Sequence, residues 1–283
     1  MPELSLRGGE VDGLSLHYLV AGRGPAVVLL HGLGGFAESW RGTIDRLASR
    51  ATVFSLDLPG FGRSAKPRTT YSLTYFARAL HGFLDAMGIA QASLVGHSLG
   101  AAVGVTYALT HPARVERVAL VAGLVPGFSV RTSWSQRLIL LPVIGEALSL
   151  CGRPSIVKAA LARCFHKPRK ADIDFLVDYD YATRSTPAAR AAWLAAARHI
   201  RTDFVTRRGD YRRAIATLDL PVLLVHGRQD PAVPAAHATE VAAGLPRVTA
   251  RWVDACGHFP QLEHARTVNG WLEEFLIGRP APR

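Results

Sequence analysis

Ala92-Ser-Leu-Val-Gly96-His97-Ser98-Leu99-Gly100 decides how the rest of this chain is read. A short apolar run, Ala92 to Val95, ends in a pentapeptide of the form G-x-S-x-G. A helical stretch follows at once and runs to Leu109. A strand that turns sharply into a helix at a serine lifts the hydroxyl above the sheet edge. The flanking glycines let helix and strand approach closely, and the free N–H groups of the helix start point at the same place. The pentapeptide alone is common by chance. Its strand-before, helix-after setting makes it a nucleophile candidate.

Outward from this stretch the pattern repeats. Ala26–Leu30, Ala51–Leu56 and Val118–Ala122 are also short apolar runs, and helical spacing fills Ser39–Arg50 and Leu73–Met87. Unbroken apolar runs alternating with helices indicate a parallel sheet covered on both faces, so the fold class is α/β. The rhythm stops after Gly123. Between Leu124 and Ile215 only helical stretches are read, the clearest being Pro187–Ile200. Strands resume at Pro221–Val225 and Val248–Val253, and a last helix is expected over Ala265–Leu276. The reading is one core, 1–124 with 216–283, and a helical insertion, 125–215, after the fourth predicted core strand.

The chain has 283 residues, of which 49% are hydrophobic and 19% charged, which excludes a disordered chain. Cys151, Cys164 and Cys256 match no zinc or redox spacing and are read as free thiols. Neither a cofactor nor a metal is called for. The N-terminus shows no apolar leader, and the longest greasy stretch, Leu138–Leu150, contains Glu146 and is too short to span a bilayer. A soluble, cytoplasmic protein is expected.

A serine needs a base and an oriented imidazole to react near neutral pH. His258 follows the last predicted strand, and Asp230 follows the strand at 221–225. Loops at the C-terminal strand ends of an open α/β sheet gather around one crevice, where Ser98, Asp230 and His258 would meet. The strand ending at Ala122 offers no acid after it, only Gly123-Leu-Val-Pro126, which favours Asp230. His226 and His264 are assigned to packing or the surface, and Asp254 to a solvated loop. For the oxyanion, the backbone N–H groups of Leu99 and Leu33 are the expected donors. Leu33 lies in the loop His31-Gly-Leu-Gly-Gly35.

With His31-Gly32, Asp57-Leu-Pro-Gly-Phe-Gly-Arg-Ser64, Gly96–Gly100, Gly227-Arg-Gln-Asp230 and Gly257-His258 in this order, the chain resembles the α/β-hydrolase superfamily from about Leu14 to Leu276. The resemblance implies a doubly wound, mostly parallel sheet, with the insertion forming a helical cap. It also implies that Asp57–Ser64 is a structural turn. Serine at the elbow argues against haloalkane dehalogenases and epoxide hydrolases, which use Asp there. Two subfamilies are similar: carboxylesterases and lipases, and meta-cleavage-product hydrolases, which cut a C–C bond in dienoic acids. The latter resemble this chain in the Asp57–Ser64 segment and in Gly257-His-Phe-Pro-Gln-Leu-Glu-His264. They usually carry Trp where this chain has Phe259, and they use a cap arginine, for which Arg184 and Arg190 are candidates. Phe259 favours ester hydrolysis. A non-catalytic ligand-binding homologue and a CoA-dependent acyltransferase are the further alternatives. Leu138–Ile144 is a candidate lining for an acyl pocket, or packs the insertion onto the core. Cys256 is read as a small buried hydrophobe.

The net charge is +11, from 33 basic and 22 acidic residues, and only four of the 33 are lysine. Coding bias is one source of so much arginine. Position along the chain argues for more than that. Residues 125–215 hold 16 basic and 7 acidic residues, so the insertion carries +9 and the remainder +2. The expected partners are a small ester or acyl substrate and no nucleic acid. The basic insertion is further expected to attract anionic substrates or to contact an anionic membrane surface. Oligomeric state is left open.

Overall fold

A computed structural model describes residues 3–129, 140–146 and 154–278; the side chain of Arg184 is not among them. Eight strands form one sheet: β1 (Glu3–Ser5), β2 (Ser15–Ala21), β3 (Ala26–Leu30), β4 (Thr52–Leu56), β5 (Ala92–His97), β6 (Val115–Val121), β7 (Val222–Gly227) and β8 (Val248–Val253). Their spatial order is β1-β2-β4-β3-β5-β6-β7-β8. From β4 to β8 every pairing is parallel; β1 and β2 are antiparallel at one edge.

Every residue of β5 and β7 is buried. Helices cover both faces there, which is why these strands read as apolar runs without alternation. One face carries α1 (Arg41–Leu47) and the C-terminal helix, where Trp40, Leu47, Val268 and Leu272 are fully buried. Burying each leucine contributes roughly 2 kcal/mol over leaving it exposed. The other face carries α2 (Leu73–Ala86) and α3 (Leu99–Thr110). α2 starts where the Ser72 hydroxyl accepts the Tyr75 N–H. α3 is almost wholly buried, and its small residues, Gly100, Ala101 and Gly104, let it sit close on the sheet.

The insertion follows the sixth strand, not the fourth, because two strands escape the sequence pattern. β1 has three residues with a half-exposed pattern, and β2 interrupts its apolar run with the buried His17. The start of β6 is also hidden by Glu116 and Arg117. Between β6 and β7 the described residues form α4 (Pro154–Ala162), α5 (Lys170–Arg184), α6 (Pro187–Thr206) and α7 (Arg208–Ile215). Thr186 caps α6 by accepting the Ala189 N–H, with Pro187 at the first helical position. After β7 come α8 (Ala235–Gly244), α9 (Pro260–Glu263) and α10 (Ala265–Ile277). α8 is not foreseen from the sequence. Among the described residues no helix is long and apolar enough to cross a membrane.

Candidate active site

Ser98 sits between β5 and α3 with φ 50° and ψ −113°, a left-handed conformation that costs a non-glycine residue about 1–3 kcal/mol. The neighbourhood holds it there. Its N–H donates to the Val121 carbonyl at 3.1 Å, and its carbonyl accepts the Leu124 N–H at 3.0 Å. Gly96 and Gly100 leave no slack: a Cβ on Gly100 would stand 2.2 Å from the Leu30 carbonyl oxygen, and one on Gly96 would meet Gly100 at 2.3 Å.

Leu99 opens α3, so its N–H lies among those with no partner inside the helix. The loop after β3 lies against the elbow, since a Cβ on Gly32 would be 3.1 Å from the Ser98 Cβ. Leu33 follows Gly32 in a turn closed by the Gly35 N–H donating to the Gly32 carbonyl at 2.9 Å. Both expected oxyanion donors are thus carried by segments that meet at Ser98.

Asp57–Ser64 holds that loop from below. His31 donates from Nδ1 to the Gly32 carbonyl at 2.7 Å and accepts the Leu58 N–H at Nε2 at 3.0 Å. Burial pushes its pKa down, which suits the neutral ring that this pairing requires. Asp57 accepts the Ala37 N–H at 2.6 Å, the Arg63 N–H at 2.7 Å and His17 Nδ1 at 2.8 Å. Burial alone would raise the Asp57 pKa; His17 and these amides outweigh it and hold it below the usual value.

Asp230 and His258 come together. The Asp230 Oδ2 accepts from His258 Nδ1 at 2.8 Å, and its Oδ1 accepts the N–H groups of Ala232 and Val233 at 2.8 and 2.9 Å. Burial opposes the charge on Asp230, but His258 and the amides prevail and keep its pKa below the usual value. An ionised Asp230 requires the proton on Nδ1, which leaves Nε2 of His258 with its lone pair.

The backbone around His258 is clasped from three sides. Its N–H donates to the Cys164 carbonyl of the insertion at 2.7 Å. Its carbonyl accepts His97 Nε2 at 2.7 Å, and the two rings lie 4.8 Å apart. One turn on, Glu263 accepts the Gly257 N–H at 2.9 Å through one oxygen and the His166 N–H at 2.8 Å through the other. The His97 bond ties the neighbour of Ser98 to the histidine loop. Burial and the adjacent His258 push the His97 pKa down to about 3, so the ring stays neutral.

His97 and Glu263 are supporting residues that sequence reasoning did not assign, and His226, assigned to packing or the surface, also lies beside Asp230. His226 is buried as expected, but its Nε2 lies 3.5 Å from the Asp230 Oδ2 while bonding the Val233 carbonyl at 2.8 Å. The overlooked signal was positional: β3, β5 and β7 each bring a histidine to their C-terminal edge, at His31, His97 and His226.

Over the site the insertion and core share an apolar cluster. It contains Phe36, Phe165, Ile173, Leu176 and Val177, with Phe259 and Leu262 against it. Phe165 stacks on Phe259 at 4.8 Å between centroids, and Phe36 on Tyr179 at 4.7 Å. Arg190 donates to the Ser185 carbonyl at its own helix start. Leu141, Val143 and Ile144 are exposed, so these three residues of Leu138–Ile144 face solvent. Cys256 is buried, with its thiol pKa pushed up by burial; Cys164 and Cys256 are free, and Cys151 lies outside the described residues. Asp254 is solvated and pairs with Arg228 at 2.8 Å.

Comparison with known proteins agrees with this fold. The family described as alpha/beta hydrolase fold matches residues 25–146 and 160–265. A 2-hydroxy-6-oxo-6-(2'-aminophenyl)hexa-2,4-dienoic acid hydrolase from Metapseudomonas resinovorans is 32% identical over 281 residues, covering 95% of this chain and 90% of that protein. Among solved structures, Cfl2 from Burkholderia cenocepacia superposes with TM-score 0.82 at 26% identity, covering 94% and 93% of the two chains. A 2-hydroxy-6-oxo-6-phenylhexa-2,4-dienoate hydrolase from Rhodococcus sp. strain RHA1 superposes with TM-score 0.80 at 27% identity, covering 93% and 94%.

Proposed function

Because the chain belongs to the alpha/beta hydrolase fold family, we propose that it is a serine hydrolase that cleaves a carboxylic ester through an acyl-enzyme. Ser98 is the nucleophile, His258 the base and Asp230 the orienting acid. The observation that carries this reading is the 2.8 Å bond from His258 to Asp230, with the His258 carbonyl bonded to His97, the residue before a strained elbow serine.

The steps follow from the groups. Nε2 of His258 takes the Ser98 proton as Oγ attacks the ester carbonyl carbon. The N–H groups of Leu33 and Leu99 receive the oxyanion, and losing one such donor costs roughly 3–4 kcal/mol. Collapse breaks the ester bond, and the departing alkoxide takes the proton from His258. Water, activated by the same imidazole, then releases the acid and restores Ser98. Asp230 stabilises the imidazolium and fixes its tautomer. Residues 125–215 serve as the lid and 1–124 with 216–283 as the catalytic core. The aromatic contacts of Phe36, Phe165 and Phe259 support an apolar acyl group beneath the lid.

C–C bond hydrolysis of a dienoic acid is the second reading. It is favoured by the 32% identical relative, whose name states that chemistry. The same serine machinery serves both. A panel of p-nitrophenyl esters of graded chain length, a dienoate ring-cleavage product and an acyl-CoA separates them. Ester turnover is expected to dominate; fast dienoate turnover with weak esterase activity would reverse the choice, and acyl transfer from the CoA ester would replace both. Ser98→Ala is expected to lower turnover by more than about 10⁴-fold. A serine-directed fluorophosphonate should add one label to the wild-type protein and none to Ser98→Ala. Folded wild-type protein that takes no label would indicate a binding module without catalysis.

A further inference from the structure

Away from the crevice, the insertion carries a surface that the reaction does not use. The turn at 140–146 lies along the C-terminal half of α6. Arg198 ties the two together, donating to the Leu140 and Leu141 carbonyls at 3.0 Å each and to Glu146 at 2.6 Å. Arg198, Arg201, Thr202 and Val205 recur at helical spacing on one face of α6 and, with Leu140, line a groove of about 340 Å³.

The groove is bordered by apolar side chains that face water: Val143 is 78% exposed, Val205 68%, Leu141 46% and Ile144 41%. Val143 is also held at φ 68°, a conformation in which a β-branched residue is strained. None of the four belongs to a buried core cluster. Arginines of α6 stand beside them. Arg198 is neutralised by Glu146, but Arg201 has no carboxylate partner among the described residues, nor have Arg207 and Arg208 at the end of the same helix and the start of the next. The insertion as a whole carries +9.

We propose that this face docks the protein on an anionic phospholipid surface, with Leu141, Val143, Ile144 and Val205 entering the headgroup–acyl boundary and Arg201 at the level of the phosphates. Apolar side chains interleaved with unpaired arginines are what such a surface recognises: the arginines are drawn to the negative potential, and the apolar groups lose their contact with water. A neutral membrane would satisfy only half of the patch. The inference stands whichever bond the enzyme cuts.

The test is co-sedimentation of the full chain with vesicles of phosphatidylglycerol and phosphatidylcholine, against pure phosphatidylcholine. Binding is expected to the anionic vesicles only and to fall as salt is raised. Arg201→Glu should weaken it by more than about fivefold, the order expected for one arginine. Val143→Asp should weaken it comparably, and aspartate tolerates the positive φ. Both variants should retain wild-type fluorophosphonate labelling at Ser98 and an unchanged circular dichroism spectrum, which separates loss of docking from loss of fold. Equal binding to both vesicle types, no binding to either, or variants that bind like wild type would each overturn the proposal. So would a dimer that Val143→Asp dissociates, since the occupant would then be a second copy of the chain.

Discussion

Gly100 has no room for one more carbon. An alanine there would press its Cβ against the Leu30 carbonyl, and neither α3 nor β3 can yield without moving Ser98. Gly100→Ala is therefore expected to destabilise the fold by roughly 3 kcal/mol or more, read by urea denaturation. His97 acts differently. Replacing it with leucine removes the donor to the His258 carbonyl while keeping an apolar side chain in place. The expected result is a kcat about fivefold lower with KM little changed, since one hydrogen bond is worth about 1 kcal/mol. A changed KM with unchanged kcat would argue against this positioning role. Ser98, Asp230 and His258 stand out in the sequence as candidates because each follows a strand that the sequence pattern marks. His97 does not, because the second position of the pentapeptide, the x before the serine, carries no spacing of its own. Its partner, the carbonyl of residue 258, lies 161 residues away and is a backbone atom, invisible to any reading of side chains.

The central strands were legible as elements because burial on both faces writes an unbroken apolar run. The edge was not. β1 is three residues long and mostly exposed, and β2, buried from Leu16 to Tyr18, carries His17 inward to Asp57, so hydrophobicity alone does not mark the edge. The short helix α9 contributes more than its length suggests. Glu263 at its end accepts N–H groups from two separate segments, the histidine loop and the insertion. Glu263→Ala would leave the Gly257 and His166 amides without that partner. A loss of about 1–3 kcal/mol in stability is expected, together with a lower kcat. Glu263→Gln keeps one acceptor oxygen but sets an NH2 against the other amide, so it should recover only part of both. Thermal melts and steady-state kinetics on the same preparations check this.

The whole molecule stores an acid sensitivity. His31, His97, His226 and His237 are buried and have pKa values below the ordinary 6.5, with burial the main cause in each. Below pH 6.5 the unfolded chain takes up protons that these rings refuse in the fold. The stability they contribute is therefore complete above 6.5 and is lost as pH falls towards their folded values. Asp57 and Asp230 act in the same direction from the ordinary aspartate value of 3.8 downwards. Each unit of depression corresponds to about 1.4 kcal/mol. The Tm is expected to be level between pH 8 and 7 and to fall progressively below about pH 6.5. A Tm that stays level or rises on acidification to pH 5 would contradict the neutral assignment of these rings. The clasp at Cys164 has another consequence, for exchange of parts between relatives. The carbonyl that receives the His258 N–H belongs to the insertion, and Gly257 has no space for a side chain because residues 164–166 pass over it. A chimaera that replaces the insertion wholesale would also replace one of the supports of the proposed base. Crossovers placed upstream of residue 164 leave that support intact, so transplanted specificity is best sought in grafts that end before it.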